Sequence, residues 1–535
     1  MRETLSPALS RIEKAALWVD AAIGFVAPAW GLSRVRARGM TKMFGAYRGA
    51  EFTRLHGDWS AQSGSADADL LLDLPTLRQR SRDLNRNDAH AGAITNTIVL
   101  NVVGTGLKPQ ARPDEEALGI TPEEAKVFIK AAERVWRRWV PTADAQNRMN
   151  FYEIQALCER QILENGEVFV LRQMIKDEPN RRYRLALEVI EADRVSTPPG
   201  KSGPNMRDGV ELGDRGQPIA YWVRKNHPGD VGMGLGYVGP GEWTRYEAVN
   251  RISGHKNILH LYLVKRPGQT RGEPIFSSVL GMFKNLGDVI EAALVTERIA
   301  ACFSAFIKKV NPYGAAQANS RTDAAGNKLE DIQPGMISYL QPGEEILFAD
   351  PSRPGGTFDP FVQVVLRSIC ANLNLPVQIV LKDFSRMNYS TARTALIEAR
   401  RAFKVYQTWL SAHLCQPVYE WLLEEAWLKQ ELPAVDLFGE QHDDWTLTSW
   451  IAPGWGWVDP VKEVESSTMA IAGGVSTLAE ECAAQGRDWE DTMRQRKREI
   501  DLANELGLTP AVVAGPTKPQ ETEDEEVTDE SPVER

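Results

Sequence analysis

The stretch KDFSRMNYSTAR at 382–393 carries the most suggestive set of polar side chains in the sequence. Lys382, Arg386 and Arg393 stand there with Asn388, Tyr389 and Ser390, without a glycine or an apolar run. Cations and hydrogen-bonding groups on a short loop suit contact with a phosphate backbone, whose charge Lys and Arg neutralise. On composition alone, an ordinary surface turn is the plainer reading. Trp455 and Trp457 have the faces to stack on bases. Packing in a core or subunit interface is the plainer use of two tryptophans.

Enzymatic arrangements do not assemble. The Gly200-Lys201 pair lacks the upstream glycine of a phosphate cradle, which argues against an ATP-driven motor. Gly234-x-Gly236-x-x-Gly239 has the spacing of a dinucleotide loop, but Pro240-Gly241 follows where a helix N-terminus would be needed. The seven histidines are scattered; His255 and His260 sit near a strand without HExxH or CxxC context. No Gly-x-Ser-x-Gly elbow occurs. Glu424-Glu425 has basic neighbours and reads as a solvated helix face. No catalytic residue, cofactor or metal site is expected.

The loop at 382–393 hangs between two helical patterns. Phe361, Val365, Ile369 and Asn372 mark one face of the first, which weakens at Pro376. Leu396, Phe403, Tyr406, Leu410, Leu414 and Trp421 mark a much longer second helix, with a bend expected at Pro417. Upstream, residues 74–104 read as one helix whose basic residues Arg78, Arg80, Arg82 and Arg86 suit a solvated face with salt bridges. Thr121-Pro122-Glu123-Glu124 is a helix start with a capping box. Residues 151–164 continue as helix. The period then shifts to strands at 166–174, 183–190 and 219–224. A long helical stretch from Pro274 to about Val310 precedes a turn-rich segment at 311–358, with short strands near 336–340 and 345–348. Helices return from Pro460 to about Glu505. The class is α+β.

With 535 residues, the chain has room for two to four domains. The net charge of −10 is uneven. Residues 516–535 hold eight acids against two bases, a net −6, and read as disordered. Residues 1–50 hold eight bases against three acids, a net +5. The mildly acidic body argues against tight general nucleic-acid affinity, but not against DNA sliding past. Five dispersed cysteines read as free thiols in a reducing compartment. Asp20 and Pro28 interrupt the apolar run at 15–32, so an N-terminal arm is expected there and no membrane span.

Several motifs occur together in one order. They are Arg80-Ser81-Arg82-Asp83-Leu84 with Arg86-Asn87; Val102-Val103-Gly104-x-Gly106; Glu164-Asn165-Gly166-Glu167; Arg271-Gly272-Glu273-Pro274; Asn388-Tyr389-Ser390-Thr391-Ala392-Arg393; and Pro453-Gly454-Trp455-Gly456-Trp457-Val458-Asp459-Pro460, followed by Gly486-x-Asp488. In this order the set resembles the lambda-type tailed-phage portal protein family.

The resemblance implies a multi-domain portal fold with wing, stem, clip and mostly helical crown, assembled as a ring of identical subunits, usually about twelve. Such a ring sits at one capsid vertex, conducts double-stranded DNA during packaging and ejection, and docks terminase and then a head–tail adaptor. Self, DNA, terminase, a major capsid or scaffolding protein and the adaptor are the implied partners. The implied location is the virion, with host cytoplasm during assembly. Mapped onto this chain, the expected parts are an N-terminal arm (1–70), wing (71–272), stem helix (273–310), clip (311–357), second stem helix (358–381), channel loop (382–393), wing spine helix (394–445), crown (446–510) and disordered acidic tail (511–535). Lys382, Arg386, Asn388, Tyr389, Ser390 and Arg393 are the implied channel-loop residues. The alternative is a DNA-processing enzyme of the packaging machinery, a terminase or nuclease subunit.

Overall fold

The structure is a computed structural model. It describes residues 63–176, 178–232, 242–251, 254–302, 306–309, 321–322, 328–329, 344–347, 358–385, 387–455 and 460–507. Residues from Ala66 onward form one compact unit, separate from Met1–Ser65. The expectations for 1–62, the 234–239 loop, the 336–340 strand and the acidic tail lie outside the described residues.

The chain opens with α1 (Ala66–Leu70), α2 (Leu74–Asn87) and α3 (Ala89–Val102). The one helix expected over 74–104 is therefore two. Asp88 breaks it: its backbone is extended and its carboxylate accepts from the amides of His90 and Ala91, capping α3. β1 (Lys108–Ala111) and the short α4 (Glu115–Leu118) follow, then α5 (Pro122–Trp139). α5 starts with the expected reciprocal box between Thr121 and Glu124. α6 (Phe151–Asn165) ends at Gly166, which takes a left-handed φ of +85°.

Strands β2 (Glu167–Met174), β3 (Leu185–Ile190), β4 (Met206–Arg207), β5 (Val210–Leu212), β6 (Pro218–Arg224), β7 (Trp243–Glu247) and β8 (Ile258–Tyr262) make two antiparallel sheets. Their orders are β3-β2-β8 and β4-β5-β6-β7. β2 is apolar on both faces because each meets a core. Val168 and Val170 join the main helical core, while Phe169 and Leu171 join a smaller one with Val210, Tyr221 and Val223.

α7 is Leu280–Cys302, shorter than the helical pattern suggested, and β9 (Phe306–Lys309) occupies residues expected to be helical. β10 (Arg321–Thr322) pairs with β11 (Lys328–Leu329), and β9 with β12 (Glu344–Leu347). The stretch expected as a second stem helix is broken. α8 (Phe358–Asn372) stops at a left-handed Asn374, and α9 (Val377–Leu381) restarts after Pro376.

α10 (Tyr389–Leu410) runs through a π-helical turn at Ser411–Cys415 into α11 (Gln416–Leu428). The π turn lies just ahead of Pro417, where the missing N–H removes one α-helical bond and lets the backbone widen. The long helix ends at Leu428, inside the segment 394–445 mapped as the wing spine. Residues 429–441 are irregular, and α12 (His442–Thr446) and β13 (Thr448–Ile451) follow. β13 pairs antiparallel with β1, tying the C-terminal third back to the start. Among the described residues, three helices follow from Pro460: α13 (Pro460–Ala472), α14 (Leu478–Ala484) and α15 (Trp489–Glu505).

Candidate functional site

The loop between α9 and α10 is shorter than 382–393. Asn388 is extended and caps α10, accepting from the Thr391 amide at 2.8 Å and the Thr391 hydroxyl at 2.5 Å. Tyr389 and Ser390 are thus first-turn helical residues, Arg393 opens the second turn, and the loop proper is 382–388. A polar run with a mid-sequence Asn hides a cap, because Asn suits turns and helix starts equally.

Local bonds shape the loop. Lys382 closes α9 in the left-handed region at φ +55°. Asp383 accepts from the amide and hydroxyl of Ser385, at 3.0 and 2.6 Å. The Met387 amide donates to the Phe384 carbonyl. Lys382, Asn388, Tyr389, Ser390 and Arg393 are all exposed. Neither Lys382 nor Arg393 makes an ion pair among the described residues, so both charges face water. Arg386 lies outside them. The positive end of the α10 dipole adds to this potential.

Beside the loop lies an open cleft of about 670 Å³. Lys382 and Ile379 form one wall, and Asn85, Arg86, Asn87, Asn96 and Asn101 line the rest. Arg86-Asn87, read above as part of a motif and of a basic helix face, therefore shares a cleft with the loop. The intervening chain is too long for pattern reading to show this.

Three motifs meet at a second place, inside the protein. Glu167 is fully buried at the start of β2. Its Oε1 accepts from Arg78 Nη2 at 2.5 Å and Arg271 Nε at 2.7 Å; its Oε2 accepts from the Gly272 amide at 2.7 Å and lies 2.9 Å from His260 Nε2. Burial alone would raise this carboxyl, but Arg271, Arg78 and His260 hold it well below the usual carboxylate range. Arg271 also donates to the carbonyls of Ala192 and Val195 and to Asp208. Arg82, half-buried, bonds Asn165 and Asp193. Of the solvated basic face with salt bridges expected for 74–104, the ion pairs form at Arg78 and Arg82 and Arg80 and Arg86 are exposed, but Arg78 is corrected to a buried residue. Glu424-Glu425 is corrected likewise. Both are buried, and Glu425 accepts from the amides of Arg184 and Leu185 at the head of β3.

Gly166 and Gly272 let these strands of chain touch. A Cβ on Gly166 would lie 2.3 Å from the Glu273 carbonyl carbon, and one on Gly272 2.1 Å from the Gly166 oxygen. The remaining motifs meet similarly. A Cβ on Gly454 would lie 2.1 Å from the Gln485 carbonyl carbon, and one on Gly104 3.1 Å from the Pro453 ring. Trp455 donates to Asn101, its ring lies under Arg400, and Asp488 accepts from Gln110. Trp455 is half-buried in these contacts, and Trp457 lies outside the described residues.

Among the described residues, one trio has metal-ligand chemistry. Glu191, Asp193 and His227 bring ligand atoms within 4.8 Å of one another. The Arg82 guanidinium already pairs with both carboxylates. The Gly229 amide donates to His227 Nδ1 at 2.9 Å, so Nε2 carries the proton and faces the acids, and the imidazole offers no lone pair there. The set is an ion-pair cluster.

Comparison with known proteins agrees with the motif order. Residues 52–407 match the family model described as phage portal protein, lambda family. Portal protein B of Escherichia phage lambda is 26% identical over 481 residues, covering 84% of this chain and 88% of that protein. The portal protein of Escherichia phage N15 is 27% identical over 481 residues, covering 84% and 89%. Among solved structures, the neck of a native gene transfer agent particle, computed with C12 symmetry, aligns over 78% of this chain and 93% of that one, with 16% identity and a TM-score of 0.41.

Proposed function

Since the chain belongs to the lambda family of phage portal proteins, we propose that its copies form a ring at one capsid vertex and serve there as the head–tail connector and DNA conduit. The observation that carries this reading is the family match over 52–407, which runs through the loop and into α10. Subunits number about twelve, the count implied by the portal-family resemblance, closed into a ring by cyclic symmetry. Double-stranded DNA passes through the centre. Terminase docks on the ring during packaging and a head–tail adaptor afterwards, with the major capsid or scaffolding protein around it. The finished ring resides in the virion after assembly in host cytoplasm.

In this reading the loop at 382–388 and the first turn of α10 line the channel. Lys382, Arg386 and Arg393 supply weak, position-independent contact with phosphates, and Asn388, Tyr389 and Ser390 set how far they project. Exposed cations that bind lightly suit a polymer that must keep moving. The protein acts without catalysis of its own. Nothing in the family match supports a terminase or nuclease subunit.

Negative-stain microscopy of the purified chain tests the reading. Rings with a central hole and about twelvefold symmetry are expected. A monodisperse monomer at every salt concentration would overturn it.

A further inference from the structure

The cleft beside the loop offers more donors than acceptors. Asn85, Asn96 and Asn101 line it. Their side-chain carbonyls are taken: Asn85 accepts from the Thr95 hydroxyl at 2.6 Å, Asn96 from Arg160 at 2.6 Å and Asn101 from the Trp455 indole at 3.2 Å. Their amide nitrogens carry two hydrogens each and have donors to spare. Asn85 and Asn101 use one N–H on the carbonyls of Ser81 and Thr97, a turn back on their own helices. The acid that lines the cleft, Asp88, turns its carboxylate to the amides of His90 and Ala91. Arg86 and Lys382 stand exposed there, and neither makes an ion pair among the described residues. Spare N–H groups beside two cations are the chemistry of an anion site.

The sequence carries an anion of matching form. Glu521, Glu523, Asp524, Glu525 and Glu526 fall within six residues, and Asp529 and Glu530 follow. An extended chain is thin enough to enter the cleft, whereas a DNA duplex meets only its rim. Residues 1–50, at a net +5, are repelled by the same cations. The acidic segment is also within reach. The Gln485 backbone lies against Gly454, and the adjacent Trp455 bonds Asn101 at the cleft wall. From there α15 spans about 26 Å to Glu505, which puts Gly507 within about 50 Å of the cleft. Residues 521–530 lie 14 to 23 positions beyond Gly507, about 50 to 80 Å of extended chain.

We propose that the acidic segment 521–530 of this chain seats in the cleft, with its carboxylates on Arg86, Lys382 and the asparagine amides. The seating goes beyond the portal reading and needs no ring. Its consequence rests on that reading: Lys382 meets phosphate only after the tail has left, so the tail is a built-in competitor of DNA at the loop.

Zero-length carbodiimide coupling of the full-length wild type, mapped by mass spectrometry, tests the seating without any variant. At low salt, Lys382 should be joined to carboxylates of 521–530, and the yield should fall severalfold as salt screens the contact. Tail acids joined only to other lysines, or Lys382 joined to none of them, would overturn the proposal. Lysine acetylation rates give a second reading. Lys382 should react severalfold faster in a full-length protein whose seven acids at 521–530 are replaced by their amides, and Arg86→Ala should give part of that gain. Lys429, outside the cleft, should react alike in all three proteins. Equal Lys382 rates in wild type and the amide protein, slowed only when a DNA duplex is added, would assign the cleft to nucleic acid and overturn the tail's place. Rings seen in the microscope without the coupling would do the same and leave the portal reading standing.

Discussion

Glu167 accepts on both oxygens, and every donor comes from a segment distant in sequence. Such a carboxylate is stable because its charge is met by two guanidiniums; removing one partner leaves the others as uncompensated buried charge. Arg271→Met and Glu167→Gln are each expected to cost about 3–5 kcal/mol in denaturant unfolding. The pair together should cost clearly less than the sum, since the second change removes a charge already stranded by the first. Asn388 works on a smaller scale. Its side chain caps α10, and Asn388→Ala should cost about 1 kcal/mol. That loss should appear as faster proteolysis at 382–388, with the melting of the remaining helices hardly changed.

At the scale of elements, paired glycines decide where segments can cross. Gly166 ends α6 in the left-handed region, and Gly272 lies against its carbonyl. Alanine at either position must move backbone, and about 2–4 kcal/mol of destabilisation is expected for each, read as a lowered Tm. Gly454→Ala acts elsewhere: backbone of Gln485 blocks its Cβ. It should loosen α14 and α15, visible as faster protease cleavage after residue 472, and leave the β2 sheet intact. The sequence allowed part of this to be read. The Thr121 box and the strands at 167–174, 185–190 and 218–224 were legible because their signals are local. The break at Asp88 and the strand at 306–309 were not, since each competes with a helical pattern running straight through it, and the cap at Asn388 was hidden in a polar run because Asn suits turns and helix starts equally. The Glu167 cluster was visible only as three separate motifs. Its contacts join residues 89 to 105 apart, and spacing carries no information at that range.

For the whole molecule, the distribution of charge decides how it can meet DNA. A net charge of −10 repels phosphate in general, so contact must be confined to a few exposed cations. Lys382 and Arg393 are two such cations, and Arg86 lines the same cleft as Lys382. Among the described residues, Asp383, Ser385 and Asn388 supply side-chain bonds that shape the loop, and the Lys382 and Arg393 side chains take no part in them. Changing Lys382, Arg386 and Arg393 together to Ala should therefore leave folding and ring formation unchanged. The effect should fall on DNA held in the ring. Each lost phosphate contact reduces the salt dependence of retention by about 0.9 in the log–log slope, so the triple variant should lose up to about three contacts per subunit engaged. Measured in a packaging reaction, DNA should be taken up and then slip back more readily as salt rises. Packaging and retention equal to wild type across a salt series would show that these three side chains do not face the DNA. Loss of the ring itself would show that they hold subunits together.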